Sequence, residues 1–176
     1  EVQRRMHHPG YGLKGLRALY AGSKAVERAE FRAFVASRDL PTEFPGVLGF
    51  GFIQRVRRSD LGAFIAAERA DDAPDYAVRT GGEAPDLYVV KFADPLDRNR
   101  PVWGYDAGSD PIRRAAAEQA VRTGEPTLAG RVTLFQDVSR RPGFLYLLAV
   151  YNNGADPRTP EEREAVLAHE IGHYRL

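Results

Sequence analysis

The residues with the most explicit chemistry are His169-Glu170-Ile171-Gly172-His173. On a helix, positions i and i+4 share one face, so two imidazoles would hold Zn²⁺ through ring nitrogens. Glu170 would then take a proton from a metal-bound water for attack on a peptide carbonyl. Upstream, Thr159 and Glu162 have the spacing of a capping box with Pro160 at the first helical position, which predicts a helix running toward the motif. A catalytic zinc needs a third protein ligand. Only Tyr174-Arg-Leu176 follow, and the remaining histidines, His7 and His8, lie at the other end. Other chemistry is thinner. The chain has no cysteine, hence no thiol nucleophile, disulfide or thiolate metal site. Gly46, Gly49 and Gly51 fall inside a strand-like run and lack the strand-then-helix setting of a phosphate-cradling loop. With histidines only near the two ends, a Ser-His-Asp arrangement has no support.

Any such site must be held by a fairly small scaffold. The chain has 176 residues, 43% of them apolar and 28% charged, which fits one domain or one domain with a small appendage. A net charge of +1, with basic residues scattered rather than clustered, argues against nucleic acid as the partner. Arginines make up all but three of the basic residues and read as a solvated surface, with Arg55, Arg113 and Arg131 as candidates to meet an anionic ligand. No apolar stretch approaches the roughly 20 residues needed to span a bilayer. The first residues, Glu1 to His8, show neither a starting Met nor an apolar signal core, so the sequence reads as a piece of a longer protein.

The periodicity predicts a helix over 16–37, from Leu16, Leu19, Tyr20, Val26, Phe31, Phe34 and Val35, ended by Pro41 and Pro45. Val47 to Val56 reads as a strand whose glycines imply close backbone approach. A helix over about 60–70, a turn at Asp71-Asp-Ala-Pro74 and a short strand at Tyr76 to Arg79 follow. Leu87 to Ala93 is the clearest strand, and Asp94 to Pro101 reads as an irregular loop. Ser109 or Asp110 caps a helix with Pro111 at its first position and Gly124 past its end. Val132 to Asp137 and Phe144 to Tyr151 then read as strands joined by a hairpin loop at 139–143. The expected fold is α+β, an antiparallel sheet with helices on one face.

Several segments in fixed order carry a further signal: Gly15-Leu-Arg-Ala-Leu-Tyr20, Phe44-Pro-Gly46 through Arg55-Val56, Gly104-Tyr-Asp106 with Ser109-Asp-Pro111 and Arg113-Arg114, Leu134-Phe-Gln136, Gly143-Phe-Leu145 and Val150-Tyr151. This ordered set resembles the CHASE family, over most of the chain from about Gly15 to Arg175. The resemblance implies a PAS-like antiparallel sheet with flanking helices and a long N-terminal helix, normally flanked by membrane helices and coupled to a histidine kinase or nucleotide cyclase. It also implies that the last stretch closes as a strand ending in an aromatic-Arg pair, here Tyr174-Arg175. On this basis residues 1–45 are expected to form a helical stalk, 46–155 a ligand-sensing domain, and 156–176 a C-terminal helix or strand leading toward a membrane-proximal portion.

In plant members of that family an Asp corresponding to the Gly104-Tyr-Asp106 segment holds an adenine-type hormone, so the resemblance points to Asp106 as the first ligand contact. A carboxylate at a pocket edge accepts charge-assisted hydrogen bonds, while strand side chains supply apolar walls. Tyr88, Val90, Tyr105, Leu128, Phe135, Tyr146 and Leu148 are the wall candidates. The expectation is a non-enzymatic periplasmic or extracellular sensor of a membrane receptor in a two-component or diguanylate cyclase system. It would bind a small organic molecule without a cofactor and form a homodimer through the N-terminal helix. The alternative is a zinc-dependent metallopeptidase using His169, Glu170 and His173.

Overall fold

The computed structural model describes residues 2–133, 142–151 and 166–172, with residues 2–9, 142 and 166–172 described by their backbone alone. The sequence opens with α1 (Val2–Gly22), α2 (Arg28–Ala36) and the short α3 (Leu40–Glu43). The helix expected over 16–37 is therefore two. Ser23 N–H still donates to Leu19 O, its hydroxyl turns to Ala25 O, and α2 restarts where Glu30 accepts the backbone N–H of Glu27 at 3.0 Å.

β1 (Val47–Arg57), α4 (Leu61–Ala70) and β2 (Asp86–Asp94) follow as expected. The stretch after β2 is more regular than its polar, Pro-rich composition suggested. It forms α5 (Leu96–Asn99) and a 3₁₀ turn, Arg100–Val102, because Asn99 Nδ2 donates to Leu48 O and Pro95 O and anchors the segment to the start of β1. Tyr76 to Arg79 contributes only an isolated bridge, Arg79 to Tyr105, rather than a strand. α6 (Pro111–Thr123) has the expected ends: Asp110 Oδ1 accepts from Ile112 N–H and Arg113 N–H, and Gly124 turns left-handed at φ 70°. Two short strands, β3 (Thr127–Leu128) and β4 (Val132–Thr133), precede β5 (Pro142–Val150) and β6 (Val166–Gly172). The strand expected over 132–137 is seen only at its first two residues, and the rest lies outside the described residues, as do most of the 139–143 loop and the Thr159–Glu162 capping box.

The strands pair antiparallel in the order β2-β1-β6-β5-β3, with β4 also on β5. On β5, Leu145, Leu147 and Ala149 pack with Ala116, Ala117 and Ala120 of α6, whereas Leu148 and Val150 join Leu13 and Leu16 of α1, Phe31 of α2 and Phe50 of β1. Strand side chains alternate between faces. The sheet is thus covered by helices on both sides, which corrects the expectation of helices on one face. The fold class is α+β.

Two glycines are fixed by close approach. A Cβ on Gly49 would meet Asp94 O at 2.4 Å, and one on Gly104, whose φ is +74°, would meet Ala77 O at 2.0 Å.

Candidate functional site

Between α4 and the β1–β2 end of the sheet lies an open cleft of about 890 Å³. Its helix wall is Asp60, Ala63, Phe64 and Ala67, its sheet wall includes Gln54, Val56 and Lys91, and Glu68 lies at its base. The placement of Lys91 comes from an irregularity in the ladder. Phe52 pairs with Phe92 and Ile53 with Val90, which leaves Lys91 as an extra residue on β2. A bulge of this kind lets consecutive side chains share a face and re-aims one of them. Lys91 and Phe92 both turn toward the α1–α4 side, with Lys91 Nζ 5.0 Å from the Phe92 ring centroid. The backbone oxygens at the bulge are taken by aromatic donors: Trp103 Nε1 donates to Lys91 O at 3.1 Å and the Tyr76 hydroxyl to Val90 O at 2.9 Å.

Glu68 is the centre of the site. It is the buried residue of α4, 2% exposed, and its carboxylate receives Lys91 Nζ on Oε1 at 3.0 Å and Arg28 Nη2 on Oε2 at 2.8 Å. Burial raises the Glu68 pKa, and the attraction of Lys91 and Arg28 offsets this only in part. Arg28 is itself buried at the start of α2. Its Nε donates to Asp71 O at 2.8 Å, and its guanidinium sits 5.0, 5.4 and 6.0 Å from the ring centroids of Phe92, Trp103 and Tyr76. A planar guanidinium can meet rings on its faces while donating in its own plane, which is the reason an arginine fits here and a lysine would not. One connected cluster therefore runs from α2, through Glu68 of α4, to the bulge of β2 beside the cleft.

The sequence-level candidates are placed elsewhere. Asp106 is 1% exposed and its acceptors are committed: Oδ1 takes Tyr88 N–H and Gly108 N–H, both at 2.9 Å, and Oδ2 takes the Thr80 hydroxyl at 2.7 Å. Tyr88 and Val90 belong to the core on the α6 side, with Tyr105 half-buried against it. Tyr146 and Leu148 belong to the cluster on the α1 side, and Leu128 is exposed. The two-residue strand period sends Tyr88 and Val90 to one face of the sheet and Tyr146 and Leu148 to the other. None lines the α4 cleft or the smaller one, of about 510 Å³, between α2, α3 and the start of α5. Phe135 lies outside the described residues.

The expected helix over the histidine motif is also corrected. Val166–Gly172 is β6, hydrogen-bonded between β1 and β5, with His169 opposite Gly51 and Leu147. A strand advances about 3.3 Å per residue, so the 169–172 backbone lacks the i, i+4 face on which zinc chelation depended. His173 falls outside the described residues. The closing strand agrees with what the family resemblance implied. Among the described residues no group of three or more His, Cys, Asp or Glu side chains is arranged to hold a metal ion.

Sequence reasoning missed Lys91, Glu68 and Arg28. A signal existed for two of them. Lys91 is the one charge inside the apolar run Leu87-Tyr-Val-Val-Lys-Phe-Ala93, and Glu68 is the first charge in Leu61-Gly-Ala-Phe-Ile-Ala-Ala-Glu68. A charge within an otherwise apolar element needs a partner.

The fold and the site define an α+β sheet domain whose open, polar cleft borders a buried charge cluster. The CHASE domain model matches residues 24–173 of the chain. The chain belongs to the CHASE family, the extracellular sensor domains of signal-transduction receptors, which are sensory rather than catalytic. A comparison with curated proteins returned no match. No helix among the described residues is long and apolar enough to cross a membrane.

Proposed function

We propose that this domain binds a small organic molecule in the cleft between α4 and the β1–β2 end of the sheet, and that binding changes the pose of the N-terminal helices. The observation that carries this reading is the shared carboxylate of Glu68: it borders the cleft, holds Lys91 of the bulge and holds Arg28 of α2. A ligand that engages Lys91 acts on the same carboxylate that anchors α2. Leu13 and Leu16 of α1 pack in the same cluster as Phe31 of α2, which supports a rigid path from α2 to α1. Binding biases an output only through a difference in affinity between two arrangements, and the α1–α2 pair is the element whose seating would differ.

In this reading the antiparallel sheet and its flanking helices are a PAS-like sensor, α1 with the rest of residues 1–45 continues toward a membrane helix, and residues 156–176 lead to the membrane-proximal side. Two copies associate along α1. The receptor's output is a histidine kinase or a diguanylate cyclase. The ligand contacts fall on the α4 cleft, with Asp106 holding the Gly104–Gly108 turn in place.

The test is to screen small organic molecules by thermal shift on the wild type and on Ala67→Trp, which fills the cleft from an exposed position of α4. A ligand that stabilises the wild type and leaves Ala67→Trp unmoved supports the assignment. A ligand that stabilises both equally places the site elsewhere.

A further inference from the structure

We infer that the molecule bound in the α4 cleft is a small organic acid, its carboxylate received by Lys91 Nζ and the Gln54 side-chain amide and its apolar body laid against Phe64 of α4. The inference rests on the assignment of the cleft as the ligand site and adds the ligand's chemistry.

Several of the charges around the cleft are already paired with one another. On the acidic side, Glu68 has a cation on each oxygen, Asp86 Oδ2 holds Arg55 Nη2 at 2.6 Å, and Asp60 Oδ1 accepts the Ser59 hydroxyl at 2.8 Å. At Glu68 or Asp86 a cationic ligand would have to displace an intramolecular cation, which leaves it the exposed Asp60, bonded to a neutral hydroxyl. On the basic side, Lys91 carries three donors and has a single polar partner among the described residues, Glu68. Its side chain remains 20% exposed and borders the cleft. One carboxylate shared by Arg28 and Lys91 leaves these three side chains with one positive charge in excess, offset in part by the Asp71 carboxylate, which accepts the Arg28 backbone N–H. An anion adds to this arrangement without breaking any pair in it.

The neighbours of Lys91 fit the same guest. Gln54 lies opposite Val89, whose face of β2 turns toward α4, and its side chain makes no hydrogen bond among the described residues. An amide N–H and an ammonium on the same sheet wall of the cleft offer two donors for the two oxygens of a carboxylate, the stronger of them charge-assisted. Across the cleft, Ala63, Phe64 and Ala67 present an apolar strip, with Val56 on the sheet side. The rest of the cleft is polar, so this strip is where the apolar body of the acid would lie.

The experiment is an NMR titration of the whole domain with three matched probes, benzoate, benzamide and benzylamine, following the Gln54 side-chain amide and the Phe64 ring resonances. Benzoate is expected to shift both sets and to bind at least tenfold more tightly than benzylamine. Lys91→Met is expected to weaken benzoate at least tenfold, Lys91→Arg to restore most of the binding, and Gln54→Leu to weaken it severalfold with the buried cluster left intact. Preferential binding of benzylamine, or benzamide binding as tightly as benzoate, overturns the acid while leaving the cleft as the site. If none of the three shifts the Gln54 or Phe64 signals, the inference and the assignment of the cleft both fall.

Discussion

Arg28 Nη2 and Glu68 Oε2 lie 2.8 Å apart with side chains only 6% and 3% exposed, and this pair joins the first turn of α2 to the buried face of α4. Truncating one member leaves the other charged and desolvated, a loss of about 3–5 kcal/mol for buried pairs in general. Arg28→Ala is expected to destabilise the domain by an amount in that range, and Arg28→Lys to recover little, since an ammonium cannot serve Glu68 and Asp71 O while lying flat among three rings. Chemical denaturation measures both. A change below about 1 kcal/mol for Arg28→Ala would mean that the pair does not hold α2 to α4.

Tyr20 stacks on Phe52 with ring centroids 4.0 Å apart, yet its buried hydroxyl has no hydrogen-bond partner among the described residues. Burial, reinforced by the charges of Glu68 and Glu30, pushes its pKa far up and keeps it neutral. Tyr20→Phe keeps the stack and removes the orphaned group, so it is expected to stabilise the domain by about 1 kcal/mol. A destabilisation in thermal melts would show that the hydroxyl has a partner in solution.

Asp94, 9% exposed, has its pKa raised by burial, with Arg32 and Arg28 pulling it back only in part. The folded state therefore binds this proton more tightly than the unfolded chain does. Its contribution is fully present below the ordinary carboxylate value and is lost as pH rises through the raised one. Asp94→Asn is expected to melt higher than the wild type at about pH 7 and to lose that advantage toward about pH 3. A gap between the two melting temperatures that does not change with pH would refute this.

Removal of the Asp106 carboxylate orphans Tyr88 N–H and Gly108 N–H together. Asp106→Ala is expected to cost about 2–4 kcal/mol. The affinity of any ligand that binds the α4 cleft should stay within twofold, because Asp106 does not border it. A tenfold loss of affinity in a variant that remains folded would return Asp106 to the ligand site.

Much of the scaffold is legible in the order of residues. β1, β2, β5, α4 and α6 follow from local rules: apolar runs bounded by turns, Pro111 at a helix start, Asp110 as its cap and Gly124 at its stop. The family is also legible, because its segments recur in order along the chain. The break between α1 and α2 is less so, since Ser23 to Val26 contains no proline and the apolar positions continue past it.

What the sequence by itself determined is the α+β class, the ends of its best-marked helix and the membership of a sensor family, all of which rest on short-range patterns. Only the tertiary structure decided the fate of His169 and the location of the cleft. The local signal at His169 to His173 suits a helix, but strand pairing on both sides of Val166–Gly172 supplies a full ladder that an isolated helical turn cannot match. Likewise Arg28 and Glu68 are 40 positions apart and meet only in the tertiary structure, and Lys91 joins them because a one-residue bulge turns it toward α4. A register shift of that kind depends on which strand pairs with which, and that is settled by packing rather than by spacing along the chain.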